Sequence, residues 1–203
     1  SNTLYNLTIN QPGADDIGFF GWINAGPNDV TVENLNIVGA DITGSNAVGI
    51  LVGSLLGGRI YNSHTEGQVD SAGRSGGFVG RISGAVFDST SKANVTSSGV
   101  VDNGLGGFTG ILWGSCDNCH AYGTVTGTAG FNTGGFSGNI ANSAIVSNSS
   151  ANVLVNSSSF NVGGFVGRLN DSSVVEFCAA YGDINSSTNR TGGFVGSVED
   201  NSI

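Results

Sequence analysis

The chain has 203 residues, of which 35 are glycine and only 10% are charged, and its formal net charge is −9 with six Lys and Arg. Nucleic acids and anionic membranes bind proteins through clustered cations, so neither is expected as a partner. The longest apolar run, Val48 to Gly58, is about half the ~20 residues that cross a bilayer, so membrane insertion is not expected either.

The first predicted element is a short extended segment, Leu4 to Ile9. Its pattern Leu-Tyr-Asn-Leu-Thr-Ile resembles that of Val32 to Ile37, Val-Glu-Asn-Leu-Asn-Ile. We therefore expect the two segments to be equivalent strands in successive units of a repeat.

A glycine-phenylalanine anchor of the form xGGFxGxφ, in which φ is apolar, then recurs along the chain. Two degenerate copies precede five regular ones, and the copies begin at Asp16, Ala47, Ser75, Leu105, Thr133, Val162 and Thr191. The last glycines of successive anchors are 32, 27, 30, 28, 29 and 29 residues apart. Such a constant period predicts a solenoid.

Each repeat unit contains three predicted strands, as the unit from Val162 to Ile184 illustrates. Strand one alternates from Gly164 to Leu169, a second extended stretch starts at Val175, and a third ends at Ile184. We predict an all-β fold, a parallel β-solenoid of about seven coils with three short strands per ~29-residue coil. Coils stacked about 4.8 Å apart would form a rod roughly 30 Å long. We expect one domain over residues 1–203, with degenerate coils in 1–58 and regular coils in 59–203.

Stacked coils place equivalent residues of each unit in columns. The anchor aromatic should form the main hydrophobic spine, which consists of Phe19, Leu51, Phe78, Phe108, Phe136, Phe165 and Phe194. A narrow interior leaves no room for a Cβ atom beside these side chains, and tight corners favour residues that adopt positive φ. Any side chain at Gly163 or Gly167 is therefore expected to overfill the coil.

The anchors resemble the GLUG-motif repeats of bacterial and archaeal surface proteins, a resemblance that covers Ile17 to Val198. Similar repeats occur in adhesin-like and haemagglutinin-like chains and beside the catalytic domains of some secreted peptidases. The resemblance implies a β-solenoid on an extracellular or cell-surface protein. It carries no catalytic residues, and the two degenerate copies fit an N-terminal capping role.

The outward positions of strand one suggest a contact surface. Alternation places apolar side chains there in the N-terminal half, namely Phe20, Trp22, Val52, Val79, Ile111 and Trp113. A contiguous exposed apolar area marks a contact site for sugar rings or a neighbouring protein. The alternative is that a loop from Asn24 to Thr31 covers these side chains.

The chain begins and ends at different points of the repeat unit, so the first residues of one copy could supply the strand that the last coil of another copy lacks. The chain opens within a strand and closes just after an anchor, where Ile203 aligns with Val174. Either the chain is a piece of a longer array, or copies stack head to tail by strand addition. The candidate assembly residues are Leu4, Tyr5, Leu7, Ile9, Val198 and Ile203.

Two residue types bear on the compartment. Seven Asn-x-Ser/Thr sequons permit glycosylation of an exported protein, at Asn6, Asn94, Asn148, Asn156, Asn170, Asn185 and Asn189. Cys116 and Cys119 form a CxxC without a second pair, so we expect buried thiols rather than a zinc or redox site, and Cys178 is a third, unpaired cysteine.

Candidate catalytic groups are sparse. His64 and His120 occupy one column two coils apart, about 10 Å, which is too far for a shared metal. Asp88 and Asp117 lie near one turn of successive coils, but no column holds three acids. We expect no catalytic residue, cofactor or metal, and a protein that is not an enzyme.

The sequence thus favours an extracellular structural or adhesive repeat module that assembles head to tail into a surface fibre. Its partners would be further copies, neighbouring surface proteins or glycans. A carbohydrate-binding adhesin domain is the first alternative and a β-helix enzyme that degrades polysaccharides is the second.

Overall fold

The chain folds as an all-β parallel solenoid, as a computed structural model shows, which confirms the predicted fold class. The structure describes residues 2–26, 30–99, 104–128, 130 and 132–203. None of these residues lies in a helix, so they include no helix that could span a membrane.

The strands are short and follow one another with corners of a few residues. In the first half of the chain they are β1 (Asn2–Tyr5), β2 (Thr8–Asn10), β3 (Phe20–Ile23), β4 (Thr31–Glu33), β5 (Leu35–Gly44), β6 (Val52–Leu55), β7 (Arg59–Tyr61), β8 (His64–Ser71), β9 (Ser75–Gly76), β10 (Val79–Ile82), β11 (Ala85–Phe87) and β12 (Thr90–Ser97). In the second half they are β13 (Leu105–Gly106), β14 (Thr109–Leu112), β15 (Ser115–Asp117), β16 (His120–Gly127), β17 (Asn132–Gly134), β18 (Ser137–Ile140), β19 (Ile145–Ser147), β20 (Ser150–Ser157), β21 (Asn161–Gly163), β22 (Val166–Leu169), β23 (Val174–Glu176), β24 (Ala179–Ala180), β25 (Ile184–Ser186), β26 (Arg190–Gly192) and β27 (Val195–Val198).

These strands stack into four parallel sheets along the solenoid axis. Sheet A contains β1, β2, β5, β8, β12, β16, β20, β24 and β25; sheet B contains β9, β13, β17, β21 and β26; sheet C contains β3, β6, β10, β14, β18, β22 and β27; and sheet D contains β4, β7, β11, β15, β19 and β23. Each regular coil runs through sheets B, C, D and A in turn. The three predicted strands are those of sheets C, D and A, and the strand of sheet B is a further element of two or three residues. The seven strands of sheet C correspond to about six turns.

The predicted aromatic spine is present in the regular coils. The rings of Phe78, Phe108, Phe136, Phe165 and Phe194 stack in sequence with centroids 4.7, 4.9, 4.8 and 5.0 Å apart and interplanar angles of 3° to 16°. Leu51 is fully buried at the N-terminal side of the column. Phe19 departs from the prediction: its ring is 40% exposed and packs edge-on against Phe20. Ile17 pairs with Val48 and Phe20 with Val52, so the first coil has one residue fewer between these two pairs than the second coil has.

The anchor glycines allow close approach of backbone to backbone. A Cβ atom on Gly163 would lie 2.0 Å from the Val166 carbonyl oxygen, and one on Gly167 would lie 2.5 Å from the Thr133 nitrogen. The prediction that side chains overfill the coil at these positions is therefore confirmed. None of the anchor glycines has positive φ, so the expectation that they supply left-handed corners is wrong.

The left-handed corners are instead supplied mainly by Asn and Asp between sheets D and A. One residue per coil adopts a φ between 42° and 57°, in the column Asn34, Asn62, Asp88, Asn118, Asn148 and Phe177. Asn and Asp tolerate this conformation better than other residues with a Cβ atom. The amide of Asn62 donates to the Asn34 side-chain oxygen at 2.7 Å, and that of Asn118 donates to Asp88 at 2.7 Å.

Phe177 is the residue of this column at which a substitution is most expected to increase the stability of the fold. Its φ is 54° and its side chain is 81% exposed. The left-handed backbone is therefore destabilising, and the side chain makes few packing contacts that would offset it. We expect Phe177→Asn to raise the free energy of unfolding by about 1 kcal/mol, measured by urea denaturation. A decrease in stability would contradict this account of the corner.

The opening segment lies in sheet A, in a register that differs from its sequence alignment with Val32 to Ile37. Leu4 pairs with Ile37 and Ile9 with Ile42, five positions later than expected. Asn6, with a φ of 55°, breaks the alternation, so that Leu4, Leu7 and Ile9 all pack against the core. Tyr5 points outward and is 66% exposed.

The closing segment pairs as predicted. Ile203 takes the position next to Val174: its nitrogen donates to the Ser173 oxygen at 3.1 Å, and its oxygen accepts from the Val175 nitrogen at 2.7 Å. The side chains of Val198 and Ile203 are exposed.

Candidate binding surfaces

The predicted apolar contact surface on strand one is not formed. Val52, Val79 and Ile111 are buried, whereas Trp22 is 60% exposed and Phe20 is partly buried. The prediction was wrong for the three aliphatic residues because sheet C is packed on both faces.

The packing of Val79 and Gly80 shows how both faces are covered. Val79 belongs to the hydrophobic core, while a Cβ atom on Gly80 would lie 2.4 Å from the backbone carbon of Ala47, which leads into the sheet B segment of the preceding coil. The double-glycine corner thus folds sheet B against the strand that was expected to face solvent. Simple alternation along one strand does not predict this.

Trp113 is half-buried, and the guanidinium of Arg81 lies 5.6 Å from the centroid of its ring. This cation–π contact occupies one face of the indole. The loop that was expected to cover the surface includes residues 27–29, which lie outside the described residues. The column of Trp22 continues with Ser54 and Arg81 in the next coils, so Trp22 and Trp113 do not form a continuous aromatic face.

A shallow groove lies on the outward face of sheet A. It encloses about 780 Å³ and is lined by Thr3, Tyr5, Asn36, Val38, His64, Thr90, Lys92 and Tyr122. These side chains come from successive strands of one sheet, where parallel pairing aligns His64 with Thr90 and His120, and aligns Lys92 with Glu66 and Tyr122. Only the histidine column was recognised from the sequence.

The two histidines of sheet A differ in their partners. His64 lies 3.8 Å from Glu66, and its pKa is lowered chiefly by burial and also by the charge of Lys92, with Glu66 opposing both effects. His120 contacts the Ser150 hydroxyl through Nδ1 at 2.8 Å and Asn118 Oδ1 through Nε2 at 3.2 Å. Within the described ranges, no three His, Cys, Asp or Glu side chains come together in a way that could hold a metal ion.

The two aspartates considered for catalysis accept side-chain hydrogen bonds from the next coil near the corner between sheets D and A. Asp88 accepts a hydrogen bond from Asn118, and Asp117 accepts from Asn148 and from Ser147 at 2.7 Å each. The hydrogen bonds from Asn148 and Ser147 lower the pKa of Asp117. Both carboxylates are engaged in holding successive coils together.

The cysteines are free thiols, and Cys116 occupies a column that other coils fill with β-branched residues such as Val86 and Val146. Cys116 and Cys119 are buried, and Cys119 replaces a serine of the column Ser63, Ser89 and Ser149. Burial raises the pKa of Cys116 well above its usual value and that of Cys178 to about 11. A thiol is a weak nucleophile when it is protonated, so Cys116 and Cys178 are unreactive at neutral pH.

The sequons differ in accessibility. Asn170 is buried with 6% exposure, so the prediction of a glycosylation site there is wrong for the folded chain. Its nitrogen donates to the Ile140 oxygen at the corner after β22, which holds the residue against the coil. Asn156 is partly buried, and the remaining sequons are exposed at Asn6, Asn94, Asn148, Asn185 and Asn189.

The chain is similar in part to known proteins, although no protein-family model matches it. A stretch of 86 residues, 42% of the chain, is 38% identical to halomucin from Haloquadratum walsbyi, and it spans 1% of halomucin. The fold resembles the crystal structure of a "putative immunoglobulin A1 protease" from Bacteroides ovatus, with a TM-score of 0.65 and 21% identity over 97% of this chain and 66% of that chain. The structural likeness shows the β-solenoid fold alone. The similarity to halomucin points to a cell-surface or extracellular protein.

Proposed function

We propose that the chain is a non-catalytic, stiff repeat module of a cell-surface or extracellular protein. The observation that carries the proposal is the uninterrupted stacking of coils, in which phenylalanine rings repeat every 4.7 to 5.0 Å beside four parallel sheets. Main-chain ladders connect neighbouring coils, and stacked rings also connect the five regular coils, so bending the rod there breaks several interactions together. The resemblance to GLUG-motif repeats supports the same role.

Surface location can be tested on the cells that produce the protein. An antibody raised against the folded chain is expected to label intact cells, or the culture medium, as strongly as permeabilised cells. Labelling only after permeabilisation would contradict an extracellular module.

We extend the proposal to head-to-tail stacking of copies, for which the two end coils provide surfaces. Core residues at these coils are only partly buried, among them Leu4 and Ile9 in the first coil and Ile184 and Phe194 in the last. The face of the last coil repeats the features that receive a coil elsewhere in the rod, which favours another coil, here from a second copy, as its partner. Such a contact does not close and therefore yields fibres.

Substitution of Gly193, in the last coil, can test whether copies stack end to end or remain monomeric. A Cβ atom on Gly164 would lie 2.2 Å from the Gly193 oxygen of the next coil, whereas one on Gly193 meets nothing within 4 Å. We expect analytical ultracentrifugation and electron microscopy to show filaments for the unaltered chain. Gly193→Ala should keep the fold and abolish the filaments, because the added methyl group meets the incoming coil.

Two results would reject the fibre. One is a chain that stays monomeric at high concentration, and the other is filaments that persist in Gly193→Ala. Asn94→Ala serves as the control for assembly, because Asn94 is exposed on the side of the rod, in a strand that is paired on both edges and lies in neither end coil.

A further inference from the structure

The groove on the outward face of sheet A combines charge, aromatic rings and hydrogen-bonding side chains. We propose that it binds an acidic oligosaccharide, in which a uronate or sulfate group contacts Lys92 and sugar rings pack against Tyr122 and Tyr5. This inference does not depend on the fibre, since the groove lies on the side of the rod.

The described residues that line the groove include a lysine and no carboxylate, in a molecule of net charge −9. Lys92 is the single lysine of a chain whose net charge is −9, and its side chain is exposed. His64 and His120 lie in the adjacent column, on the two strands next to that of Lys92. Glu66 is in register with Lys92 on the adjacent strand, and its carboxylate lies 3.8 Å from His64 Nε2.

The Lys92 ammonium is free to bind an anion, for the following reason. No hydrogen bond or salt bridge holds it among the residues that the structure describes. A charge-assisted hydrogen bond to a carboxylate or sulfate is stronger than one between neutral groups, so Lys92 provides the main recognition of charge.

Tyrosine side chains border the groove at both ends. Tyr122 pairs in register with Lys92 and is 36% exposed, and Tyr5 lies in the first coil and is 66% exposed. Parallel strands are about 4.8 Å apart, so four strand spacings separate the two tyrosines by roughly 19 Å along the axis. That length suits a short oligosaccharide. An exposed aromatic ring offers a sugar an apolar face and a hydroxyl group.

The remaining lining is suited to sugar hydroxyls rather than to a peptide strand. Thr3, Asn36 and Thr90 provide donors and acceptors on an open surface. The strands that carry Lys92 and Tyr122 are paired on both edges, so a peptide cannot join the sheet there through its main chain. One lysine is too few for nucleic acid, whose affinity comes from many phosphate contacts.

The proposal is tested by calorimetry with defined tetrasaccharides. The probes are tetragalacturonate, a chondroitin sulfate tetrasaccharide, and the carboxyl-reduced, neutral form of the first. We expect at least one acidic probe to bind with a dissociation constant below a millimolar, and the neutral form to bind at least tenfold more weakly. The two acidic probes show whether a uronate alone is sufficient or sulfate is needed.

Matched variants locate the site. Lys92→Gln should weaken acidic binding about tenfold or more, and Tyr122→Leu should weaken acidic and neutral binding by similar factors. Arg59→Gln removes the same charge from sheet D and should leave affinity unchanged. Amide and imidazole NMR signals of His64 and His120 should shift on titration, which also verifies that each variant is folded.

Three results would overturn the proposal. They are no binding of either acidic probe at millimolar concentration, equal loss of affinity in Arg59→Gln and Lys92→Gln, and a neutral probe that binds as tightly as the acidic ones. An acidic peptide that displaces the tetrasaccharide with higher affinity would assign the groove to a different ligand class.

Discussion

Phe136→Ala is expected to lower the free energy of unfolding by about 3–5 kcal/mol, measured by urea denaturation followed by circular dichroism. The Phe136 ring is fully buried and lies 4.9 Å from that of Phe108 and 4.8 Å from that of Phe165. Truncation leaves a cavity at the centre of the spine and removes two stacking contacts. The rigid main-chain ladders above and below prevent the coils from closing over it.

The control for this substitution is Phe177→Ala. Phe177 has the same side chain but is 81% exposed, so its truncation should change stability by less than about 0.5 kcal/mol. Phe194→Ala should fall between the two, because Phe194 stacks on one neighbour only and is partly buried. Similar losses at Phe136 and Phe177 would show that the spine does not stabilise the rod.

The spine could be predicted because its signal is redundant. Five copies of the anchor place phenylalanine at intervals of 28 to 30 residues, and direct stacking of the coils puts Phe78 to Phe194 in one column. The pairing of Ile203 beside Val174 followed from the same period. Errors occurred where the repeat is irregular. Phe19 lies where the first coil has one residue fewer than the second between paired positions, and the strand of Leu4 is broken at Asn6.

The outward face could not be predicted because it depends on contacts between sheets. Alternation placed Val79 toward solvent, but sheet B folds onto sheet C through Gly80, and the valine lies in the core. The groove was missed for a related reason: Lys92 is 87 positions from Tyr5 and 30 positions from Tyr122, and only the pairing of strands brings these residues to one surface. A signal was present, since the single lysine lies between the two histidine positions.

Stiffness and recognition are compatible in this fold because they use opposite faces of the same strands. In sheet A, Ala93 and Val95 point into the core, while Lys92 and Asn94 point outward. Outward residues can therefore vary from coil to coil without disturbing the spine. This explains how one repeat can carry a groove in some coils and plain Ser, Thr and Asn surface in others.

The second large effect is expected for Gly135→Ala, which should cost roughly 3 kcal/mol or more. A Cβ atom on Gly135 would lie 2.2 Å from the Gly164 carbonyl oxygen of the next coil. The obstacle is backbone held by ladders on both sides, so it cannot turn away as a flexible side chain would. Gly135 does not have positive φ, and the cost comes from stacking rather than from an unfavourable backbone conformation.

Gly193 provides the matched control, since it occupies the same position of the anchor in the last coil. A Cβ atom there meets nothing within 4 Å, so Gly193→Ala should be neutral or should stabilise the monomer by about 0.4–1 kcal/mol through the unfolded state. Urea denaturation of both variants at low concentration measures the contrast. If both substitutions were equally tolerated, coils could not lie directly above one another at the spacing that the glycines require.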